Sequence, residues 1–447
     1  MHLTKYLKIF PAPGNPGHLI LYSTRRCSVL RVTEETIRSI EDGTITENDR
    51  ETLVLYGILV PDPAEEREEM LNRFDEANRK SRRFTAIIVL NLDCNLACGY
   101  CFEEGVRGKR IMSAETADLL VAMIEKEHIA RGRKVSIDFY GGEPLLSVDL
   151  IRSISKRLRK SCGEKGLPFE FSLVSNGTLL TRPLALELAA LGMKRVQITL
   201  DGPREIHDKS RPFASGKGSS FDIIIRNILE IMDITDVQIG GNFTLENYRE
   251  FPRLLDHLLN VGITPDKVKT VRFNQVTGRV GGGAIPDYAS ACNCTDEEWV
   301  CEATVYLREE ILRRGFPTPK PGPVGCMVEF DNDMVINVDG AIYKCPAFVG
   351  REGFSVGDLK GGIINSGSVY NQGCWKREEC LECAYLPQCF GGCCFMKFLR
   401  DGDSTGVDCW KSFLDAILEK CILQDLKYRP THKKAPHFTG RENERLE

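Results

Sequence analysis

The sequence predicts an α/β protein built on a parallel β-sheet that closes only part of the way into a barrel. From Phe84 onward, short segments dense in Val, Ile and Phe alternate six times with helical segments, which is the pattern of parallel βα units. A stretch with a different pattern precedes this alternation, and a cysteine-rich stretch follows it. Because six units are fewer than the eight of a closed barrel, we expect a partial (β/α)6 barrel that is open on one side.

The chain of 447 residues is long enough for two to four domains, and 42% hydrophobic residues are ample for packed cores. Changes in composition along the chain indicate where the domain boundaries lie. We expect a separate N-terminal unit, the partial barrel, a cysteine-rich domain and a polar tail that is disordered. These are residues 1–82, 83–318, 319–425 and 426–447.

Charge and hydropathy exclude several classes of partner. The formal net charge is −4, so nothing indicates binding to nucleic acid or to an anionic membrane surface. No apolar run reaches the length of a membrane span, and the first residues lack the apolar core of an export signal. We therefore expect a cytoplasmic protein with no membrane partner. Its 18 cysteines then favour metal binding over disulfides.

The N-terminal unit has a pattern typical of a winged helix-turn-helix. Strands are expected at Leu19–Tyr22, Cys27–Val32 and Ile58–Val60, and helices after the N-cap Thr33 and over Asn48–Leu55. An exposed strand edge in such a unit can bind an extended peptide by adding a strand to the sheet. The alternative is a generic cap on the barrel. The segment 63–83, rich in Glu and Arg, is expected to form a solvated helical linker.

The six βα repeats have elements of ordinary length. The expected strands are Thr85–Asn91, Val135–Tyr140, Glu170–Ser175, Arg195–Leu200, Val237–Thr244 and Thr270–Gln275. The expected helices lie at about 114–130, 148–161, 182–191, 219–232, 247–260 and 295–314. Since active sites of barrels lie at the C-terminal ends of the strands, side chains that follow these strands are candidates for one common site.

Three cysteines follow the first strand, with the spacing C-x3-C-x2-C: Cys94, Cys98 and Cys101. This spacing is too tight for a disulfide framework, but it suits thiolates that converge on one iron–sulfur cluster. A 4Fe–4S cluster normally takes four cysteine ligands, so three would leave one iron open to a substrate or cofactor. The alternative is a zinc knuckle, although zinc sites favour paired C-x2–4-C units.

Glycine-rich and polar motifs follow the next three strands. Two glycines allow the backbone to come close to a ligand, and a glutamate can accept a hydrogen bond from an ammonium group. Each motif alone is weak, because such sequences are common in turns. The motifs are Gly141-Gly142-Glu143-Pro144, Ser175-Asn176-Gly177-Thr178 and Thr199-Leu200-Asp201-Gly202-Pro203, with His207, Asp208 and Arg211 beyond them.

Taken together, the cysteine loop and the strand-end motifs resemble the radical S-adenosylmethionine (radical SAM) enzymes. The resemblance implies that Cys94, Cys98 and Cys101 hold a 4Fe–4S cluster whose open iron is chelated by SAM. It also implies that the Gly141–Pro144 motif, with Glu143, holds the SAM amino group. The positions that would approach the SAM ribose and carboxylate are Ser175, Asn176, Thr199 and Asp201, with Arg211 as a charge-assisted partner of the carboxylate. Tyr100 would pack beside the adenine; plain core packing is its alternative.

A second group of cysteines follows the barrel. Cys326 comes first, and Cys345 follows a hairpin whose turn is Asn337–Gly340. The run Cys380-x2-Cys383-x5-Cys389-x3-Cys393 and then Cys409 complete the group. Zinc is the alternative here too. The pattern resembles the SPASM extension of radical SAM enzymes, which carries two auxiliary 4Fe–4S clusters, and it implies three clusters in total.

The same resemblance divides these cysteines between the two auxiliary clusters. Cys380, Cys383, Cys389 and Cys409 would ligate one cluster fully. Cys326, Cys345 and Cys393 would hold the other, one ligand short of the four-cysteine version. Cys374 or Cys394 is available for the gap; otherwise the iron is open and a substrate thiolate can bind there. Cys292 and Cys294 are expected to be incidental.

The resemblance extends over nearly the whole chain to thioether-forming maturases of ribosomal peptides. It implies a cysteine-containing precursor peptide with a leader segment as partner, and an electron donor such as flavodoxin or ferredoxin. Two other enzymatic functions are alternatives: formylglycine formation in a sulfatase and carbon–carbon crosslinking of a peptide. Sulfatase-maturing members have an aspartate directly after the cysteine that matches Cys345, where this chain has Pro346, and Asp331, Asp333, Asp339 or Glu329 would have to replace it. A non-catalytic metal scaffold is the alternative from another class.

Overall fold

The computed structural model describes residues 1–101, 103, 105–278, 297–364 and 369–429. The prediction for Cys292 and Cys294, and that for nearly all of the tail, lie outside the described residues. The N-terminal elements are β1 (His2–Leu3), β2 (Leu7–Pro11), β3 (His18–Ser23), β4 (Val29–Thr33), α1 (Glu34–Glu41), α2 (Glu47–Leu55), β5 (Leu59–Val60) and α3 (Pro63–Lys80).

The N-terminal unit contains an antiparallel sheet in the order β2-β3-β4, and β1 pairs with β5. The expected strands and helices are present, and the side chain of Thr33 caps α1 by accepting a hydrogen bond from the Thr36 N–H at 3.2 Å. Strand β2 was not predicted. Its five residues alternate weakly and include Lys8 and Pro11, so the sequence carries little strand signal.

The segment predicted as a solvated linker is the helix α3, but one of its faces is fully buried. Met70 is 2% and Phe74 is 1% exposed. The ring of Phe74 makes edge contacts with Phe330, Trp375 and Phe390 at centroid distances of 5.4, 5.8 and 4.8 Å. The prediction of a solvated helix was therefore wrong for this face. Helix α3 joins the N-terminal unit to the cysteine-rich domain through a shared aromatic core.

The barrel elements follow the predicted alternation. They are β6 (Arg83–Asn91), α4 (Ala114–Glu127), β7 (Lys134–Gly141), α5 (Val148–Glu164), β8 (Phe169–Ser175), α6 (Arg182–Leu191), β9 (Met193–Thr199), α7 (Arg204–Ser210), α8 (Ser220–Ile231), β10 (Asp236–Phe243), α9 (Phe251–Asn260), β11 (Thr270–Gln275) and α10 (Glu298–Arg313). Strands β6 to β11 are parallel and adjacent in chain order. The short helix α7 was not predicted.

The barrel core lies between the sheet and its helices. Alternate strand residues are completely buried against the helices, as Ile137, Val196 and Ile239 show with at most 1% exposure. The remaining positions face the concave side of the sheet and are mostly polar. This alternation puts the C-terminal ends of all six strands at one rim, where the predicted motifs lie.

The cysteine-rich domain continues the barrel sheet. Its elements are β12 (Asp333–Ile336), β13 (Ala341–Tyr343), β14 (Gly357–Asp358), β15 (Gly362–Ile363), α11 (Glu378–Leu381), α12 (Leu386–Cys389), α13 (Cys394–Asp401) and α14 (Lys411–Tyr428). Strand β12 pairs in parallel with β6 and forms the expected hairpin with β13. Among the described residues this gives one sheet of ten strands.

Helix α14 returns to the barrel and packs on α10. The guanidinium of Arg308 donates to the carbonyl oxygen of Cys421 at 3.1 Å and to Asp425 at 2.7 Å. Every cysteine within the described ranges is a free thiol. In the part of the chain that the structure describes, each helix is too short or too polar to span a bilayer.

Candidate functional site

The loop that carries Cys94, Cys98 and Cys101 follows β6 directly. Its start is fixed by short local bonds: the Cys94 N–H donates to the Asp93 carboxylate at 2.9 Å, and the Leu96 N–H donates to the Cys94 sulfur at 3.4 Å. Burial raises the pKa of the Cys94 and Cys98 thiols, and it raises that of Cys101 to about 11. A thiol with such a pKa is neutral at pH 7, so binding a cation is what would hold these groups as thiolates.

The Gly141-Gly142-Glu143-Pro144 motif packs its backbone against this loop. The Gly142 N–H donates to the Asn91 carbonyl oxygen at 3.1 Å, and the Glu143 N–H donates to that of Asp93 at 2.8 Å. A Cβ atom on Gly141 would lie 2.3 Å from the Asn91 oxygen, and one on Gly142 would lie 2.2 Å from the Asp93 oxygen. Both glycines are therefore required for close backbone contact.

We expect Gly142→Ala to disrupt the cysteine loop, because the methyl group would overlap the Asp93 backbone and push Cys94 away. Replacing Gly163, which has open space around its α-carbon in α5, should be harmless or slightly stabilising. Iron content after anaerobic reconstitution is the measurement. A Gly142→Ala protein that loads as much iron as the Gly163→Ala control would contradict the expectation.

The Glu143 carboxylate links the Gly141–Pro144 motif to the Ser175–Thr178 motif through hydrogen bonds. It is 0% exposed, and it accepts hydrogen bonds from the N–H of Leu145 at 3.0 Å, the hydroxyl of Ser175 at 2.9 Å and the N–H of Asn176 at 2.8 Å. Burial raises the pKa of Glu143 although these three donors lower it. A carboxylate offers about four acceptor positions, so most of them are used by the chain itself.

The Ser175–Thr178 motif, at the end of β8, forms hydrogen bonds with the cysteine loop. The Asn176 amide donates to Asn95 at 2.8 Å and to the Cys94 sulfur at 3.8 Å, and the Asn95 amide donates to the Thr178 hydroxyl at 2.9 Å. Asn176 was predicted as a site residue, whereas Asn95 and Thr178 were not. Their signal was present, since both lie within motifs that had been singled out.

Tyr100, Asp201 and Arg211 form one buried network at the same rim. The Tyr100 hydroxyl donates to the Asp201 carboxylate, and it accepts from Arg211 at 2.7 Å and from the Asn242 amide at 3.1 Å. The Asn242 N–H donates to Asp201 at 2.7 Å. Burial raises the pKa of Asp201, while the Arg211 guanidinium opposes that shift. Asn242, at the end of β10, carried no sequence signal.

Two buried polar atoms beside this network lack partners within the described residues: Nε2 of His207 and Nε of Arg211. The other ring nitrogen of His207 accepts from the Asp201 N–H at 3.1 Å. Such atoms are costly unless a ligand satisfies them. Together with the tight glycine backbone, they fit a bound polar cofactor at this rim. Thr199 ends β9 and pairs with Gly240 on the same side of the sheet as Asn242.

The three thiols of the loop are close enough to influence one another. A negative charge on Cys98 raises the pKa of both Cys94 and Cys101. Within the described ranges, no three His, Cys, Asp or Glu side chains converge tightly enough for a single metal ion. Cysteine thiolates are the usual ligands of a 4Fe–4S cluster, and Cys94, Cys98 and Cys101 would hold one here.

The later cysteines form two groups in space. In the first group, Cys345 lies close enough to Cys394 to raise the pKa of the Cys394 thiol, and Cys326 interacts electrostatically with Cys393 and Cys394. Burial raises the pKa of the Cys326 thiol to about 12. The first group thus has four members, because Cys394 lies among the three cysteines that the sequence grouped.

The second group is built from the C-x2-C-x5-C run and the last cysteine. Cys380 and Cys389 interact with each other and with Cys383 and Cys409. Cys374 belongs here, since it interacts with Cys380 and Cys389 and its sulfur abuts Gly391. Of the two thiols that the sequence left as alternatives, Cys394 therefore lies in the first group and Cys374 in the second.

A family model described as the Radical SAM superfamily matches residues 88–258. The cysteine-type anaerobic sulfatase-maturating enzyme of Clostridium novyi (strain NT) is 31% identical over 372 residues, which cover 75% of this chain and 96% of that protein. The chain belongs to the radical SAM superfamily. It spans only 40% and 52% of the length of two other curated relatives.

Solved structures show the same radical SAM fold. The structure of anSMEcpe with bound AdoMet and the Cp18Cys peptide has a TM-score of 0.60 at 19% identity, covering 77% of this chain and 97% of that one. Streptococcus suis SuiB bound to S-adenosylmethionine has a TM-score of 0.51 at 16% identity, covering 91% and 98%. The shared feature is an α/β fold with a large, mostly parallel sheet.

Proposed function

We propose that this radical SAM protein is a peptide maturase that reductively cleaves SAM and installs thioether bonds between a cysteine and another residue of a ribosomal precursor peptide. Membership of the superfamily supports SAM cleavage. Similar solved structures support a peptide substrate, since SuiB has been solved bound to the precursor peptide SuiA and anSMEcpe bound to the Cp18Cys peptide. The thioether chemistry rests on the first auxiliary cysteine group.

When bound, the cluster and SAM supply one electron and a 5′-deoxyadenosyl radical that removes a hydrogen atom from a substrate carbon. The chain's own residues hold and orient these groups. Cys94, Cys98 and Cys101 would ligate the cluster, and the Gly141–Pro144 backbone lies against its loop. Arg211 presents an unused buried N–H at the same rim, where it would bind the SAM carboxylate.

Closing a carbon–sulfur bond requires more than that hydrogen abstraction. The substrate thiol must lose its proton, and the new bond must give up one electron, so that the peptide loses two hydrogens in all. The two auxiliary groups, proposed to hold 4Fe–4S clusters, would accept that electron and pass it to flavodoxin or ferredoxin. This makes three clusters with the SAM-binding one.

The observation that carries the thioether proposal is that a thiol lies against Cys345. Sulfatase-maturing members would need a base at this place, but Pro346 follows Cys345, and the Cys394 thiol is among the side chains that interact with Cys345. We propose that Cys326, Cys345 and Cys393 hold the auxiliary cluster and that Cys394 is a resting ligand. A substrate thiolate would then displace Cys394, a simple exchange of one sulfur ligand for another.

The outer edge of β4 supports leader recognition by residues 1–82. The Ser23 N–H donates to the Ser28 carbonyl oxygen at 3.1 Å, which fixes the alternation of the antiparallel ladder. In that alternation and register, Leu30 and Val32 bond to β3. The N–H and carbonyl groups of Arg31 therefore point outward, where no further strand lies within the described residues. A leader peptide would add there as a strand.

We expect Arg31→Pro to weaken binding of the precursor about tenfold or more, because it removes an outward N–H while the bonds of Leu30 and Val32 to β3 remain. Arg31→Ala keeps that N–H and is the matched control. Fluorescence polarisation of a labelled precursor measures the dissociation constant, and circular dichroism checks the fold. Equal affinities of the two variants would remove β4 as the leader site.

Formylglycine formation is the second candidate, favoured by the 31% identity to a sulfatase-maturating enzyme. The genes next to the one that encodes this protein can distinguish thioether formation from formylglycine formation. A short reading frame rich in repeated cysteines favours thioethers, whereas an adjacent sulfatase favours formylglycine. The decisive experiment is mass spectrometry of the adjacent small peptide after anaerobic coexpression. A loss of two hydrogens per crosslink with a blocked cysteine supports the proposal, and an unmodified peptide contradicts it.

A further inference from the structure

One arginine on the concave side of the sheet has no counter-charge among the residues that the structure describes. Strand β11 pairs with β10 so that Asn274 lies opposite Asn242 and Arg272 lies opposite Gly240. Asn242 faces the rim, because its amide contacts Tyr100. Partners in register share a face, and residues two apart along a strand also share it, so Arg272 faces the barrel interior.

The alternate residues of β11 confirm this orientation. Val271 is 0% exposed, and the ring of Phe273 packs on Phe251 of α9 at a centroid distance of 4.6 Å. Both lie on the helix side of the sheet. Arg272 is reached by water, yet burial lowers the pKa of its guanidinium. A side chain that extends into a concave interior open to solvent would be both accessible to water and partly desolvated by the surrounding protein.

The Arg272 guanidinium makes no hydrogen bond or ion pair within the described residues. Three carboxylates on this face of the strands or directly after them are engaged elsewhere: Asp138 accepts from the Ser172 hydroxyl, Asp236 lies 3.9 Å from Lys269, and Asp201 is held by Tyr100. An arginine in a protein cannot discharge itself by deprotonation. A partly desolvated cation of this kind gains most from an incoming anion.

We propose that Arg272 binds a side-chain carboxylate of the substrate peptide, from an aspartate or glutamate close to the modified residue. This rests on the proposed peptide-maturase function. Gly240, which pairs with Arg272, carries no side chain, and the Gln197 amide borders the space above it. A planar carboxylate would bind the guanidinium there through two parallel hydrogen bonds. Gln197 and Gln238 pair beside it on the same face and offer amides to a peptide backbone.

SAM also carries a carboxylate that could enter the barrel interior, but we place the SAM carboxylate at Arg211 and not at Arg272. Arg211 already stands at the cysteine loop, in contact with Tyr100. Arg272 lies on β11, at the opposite end of the six barrel strands from β6, which leads into that loop. We therefore assign Arg211 to the cofactor side and Arg272 to the peptide side.

Arginine footprinting on the full-length, reconstituted protein tests the assignment. Phenylglyoxal labels accessible, unpaired guanidinium groups, and peptide mapping reads the rate at Arg272. N-acetyl-aspartate N-methylamide over a concentration series should slow labelling at least about fivefold at saturation, whereas the isosteric asparagine compound and SAM should not. Arg38 of α1, which is mostly exposed, should label equally under all conditions.

Each other outcome overturns the proposal. Protection by SAM alone would place the cofactor carboxylate at Arg272. Protection by neither compound, or absence of labelling, would show that no peptide carboxylate binds there or that the guanidinium is already paired. None of these readouts needs turnover, so a failure of the maturase function itself would appear separately as an unmodified precursor.

Variants give a second measurement. Arg272→Gln should weaken binding of an acidic peptide about ten- to a hundredfold, the range for losing a charge-assisted pair, and should leave binding of the matching amide peptide unchanged. Arg272→Lys, which keeps the charge but not the fork, should fall between the two. Equal losses for both peptides would mean that Arg272 serves only the fold.

Discussion

Replacing Cys94, Cys98 and Cys101 together by alanine is expected to abolish formation of 5′-deoxyadenosine. The three thiols lie in one loop that is fixed by the Asp93 carboxylate and by the close approach of Gly142 to the Asp93 backbone, so their removal leaves nothing to hold a cluster there. The auxiliary groups are built on other elements, around Cys345 and Cys389, and should keep their iron. Liquid chromatography of the anaerobic reaction measures the nucleoside.

The control for this experiment is Cys162→Ala, which removes a fully buried thiol of α5 that belongs to none of the three cysteine groups. It should retain SAM cleavage. In the triple variant the iron content should fall by about a third if three equal clusters are present. Continued production of 5′-deoxyadenosine by the triple variant would show that another group cleaves SAM.

The sequence predicted the barrel well because its signals are local. Strand β6 and helix α6 stand out by hydrophobic pattern alone, and Thr33 is a readable N-cap. The motifs at the ends of the first four strands also lie at one rim, as the barrel rule requires. These features need no knowledge of which segments meet across the fold.

The features that the sequence did not reveal depend on distant contacts. Strand β12 extends the barrel sheet by pairing with β6. The sequence of a four-residue strand does not indicate which other strand it will pair with. The buried face of α3 depends on Trp375, about 300 positions away. Asn242 joins the Tyr100 network only because β10 ends beside β9. Pattern reasoning assigns elements, whereas these roles follow from how the elements assemble.

That assembly determines how the proposed role of residues 1–82 in leader binding can be tested. Tyr6 is 0% exposed, its hydroxyl lies 3.5 Å from the Leu381 carbonyl oxygen, and the Tyr22 hydroxyl bonds to Pro321 and to Gln388. Deleting residues 1–82 would expose this core and unfold more than the peptide site. A change confined to the outer edge of β4 is therefore the informative one.

Replacing Cys345 by alanine is expected to spare SAM cleavage and to abolish the thioether product. Cys345 follows β13 and so belongs to a different element from the loop of Cys94, Cys98 and Cys101, so 5′-deoxyadenosine should still form. The product should be lost because the substrate thiol would have no auxiliary centre on which to lose its proton and electron. The same is expected of Cys326→Ala. Mass spectrometry of the precursor and nucleoside analysis of the same reaction give both readouts.

Cys394→Ser is the matched variant, since it changes the neighbouring thiol in the same group. If Cys394 is a displaceable resting ligand, this variant keeps product formation but changes the electron paramagnetic resonance spectrum of the substrate-free protein. With substrate bound, its spectrum should match that of the wild type, because the same thiolate then occupies the position. Product formation by Cys345→Ala would show that the auxiliary group does not handle the substrate thiol. Identical substrate-free spectra of wild type and Cys394→Ser would show that Cys394 is not a ligand.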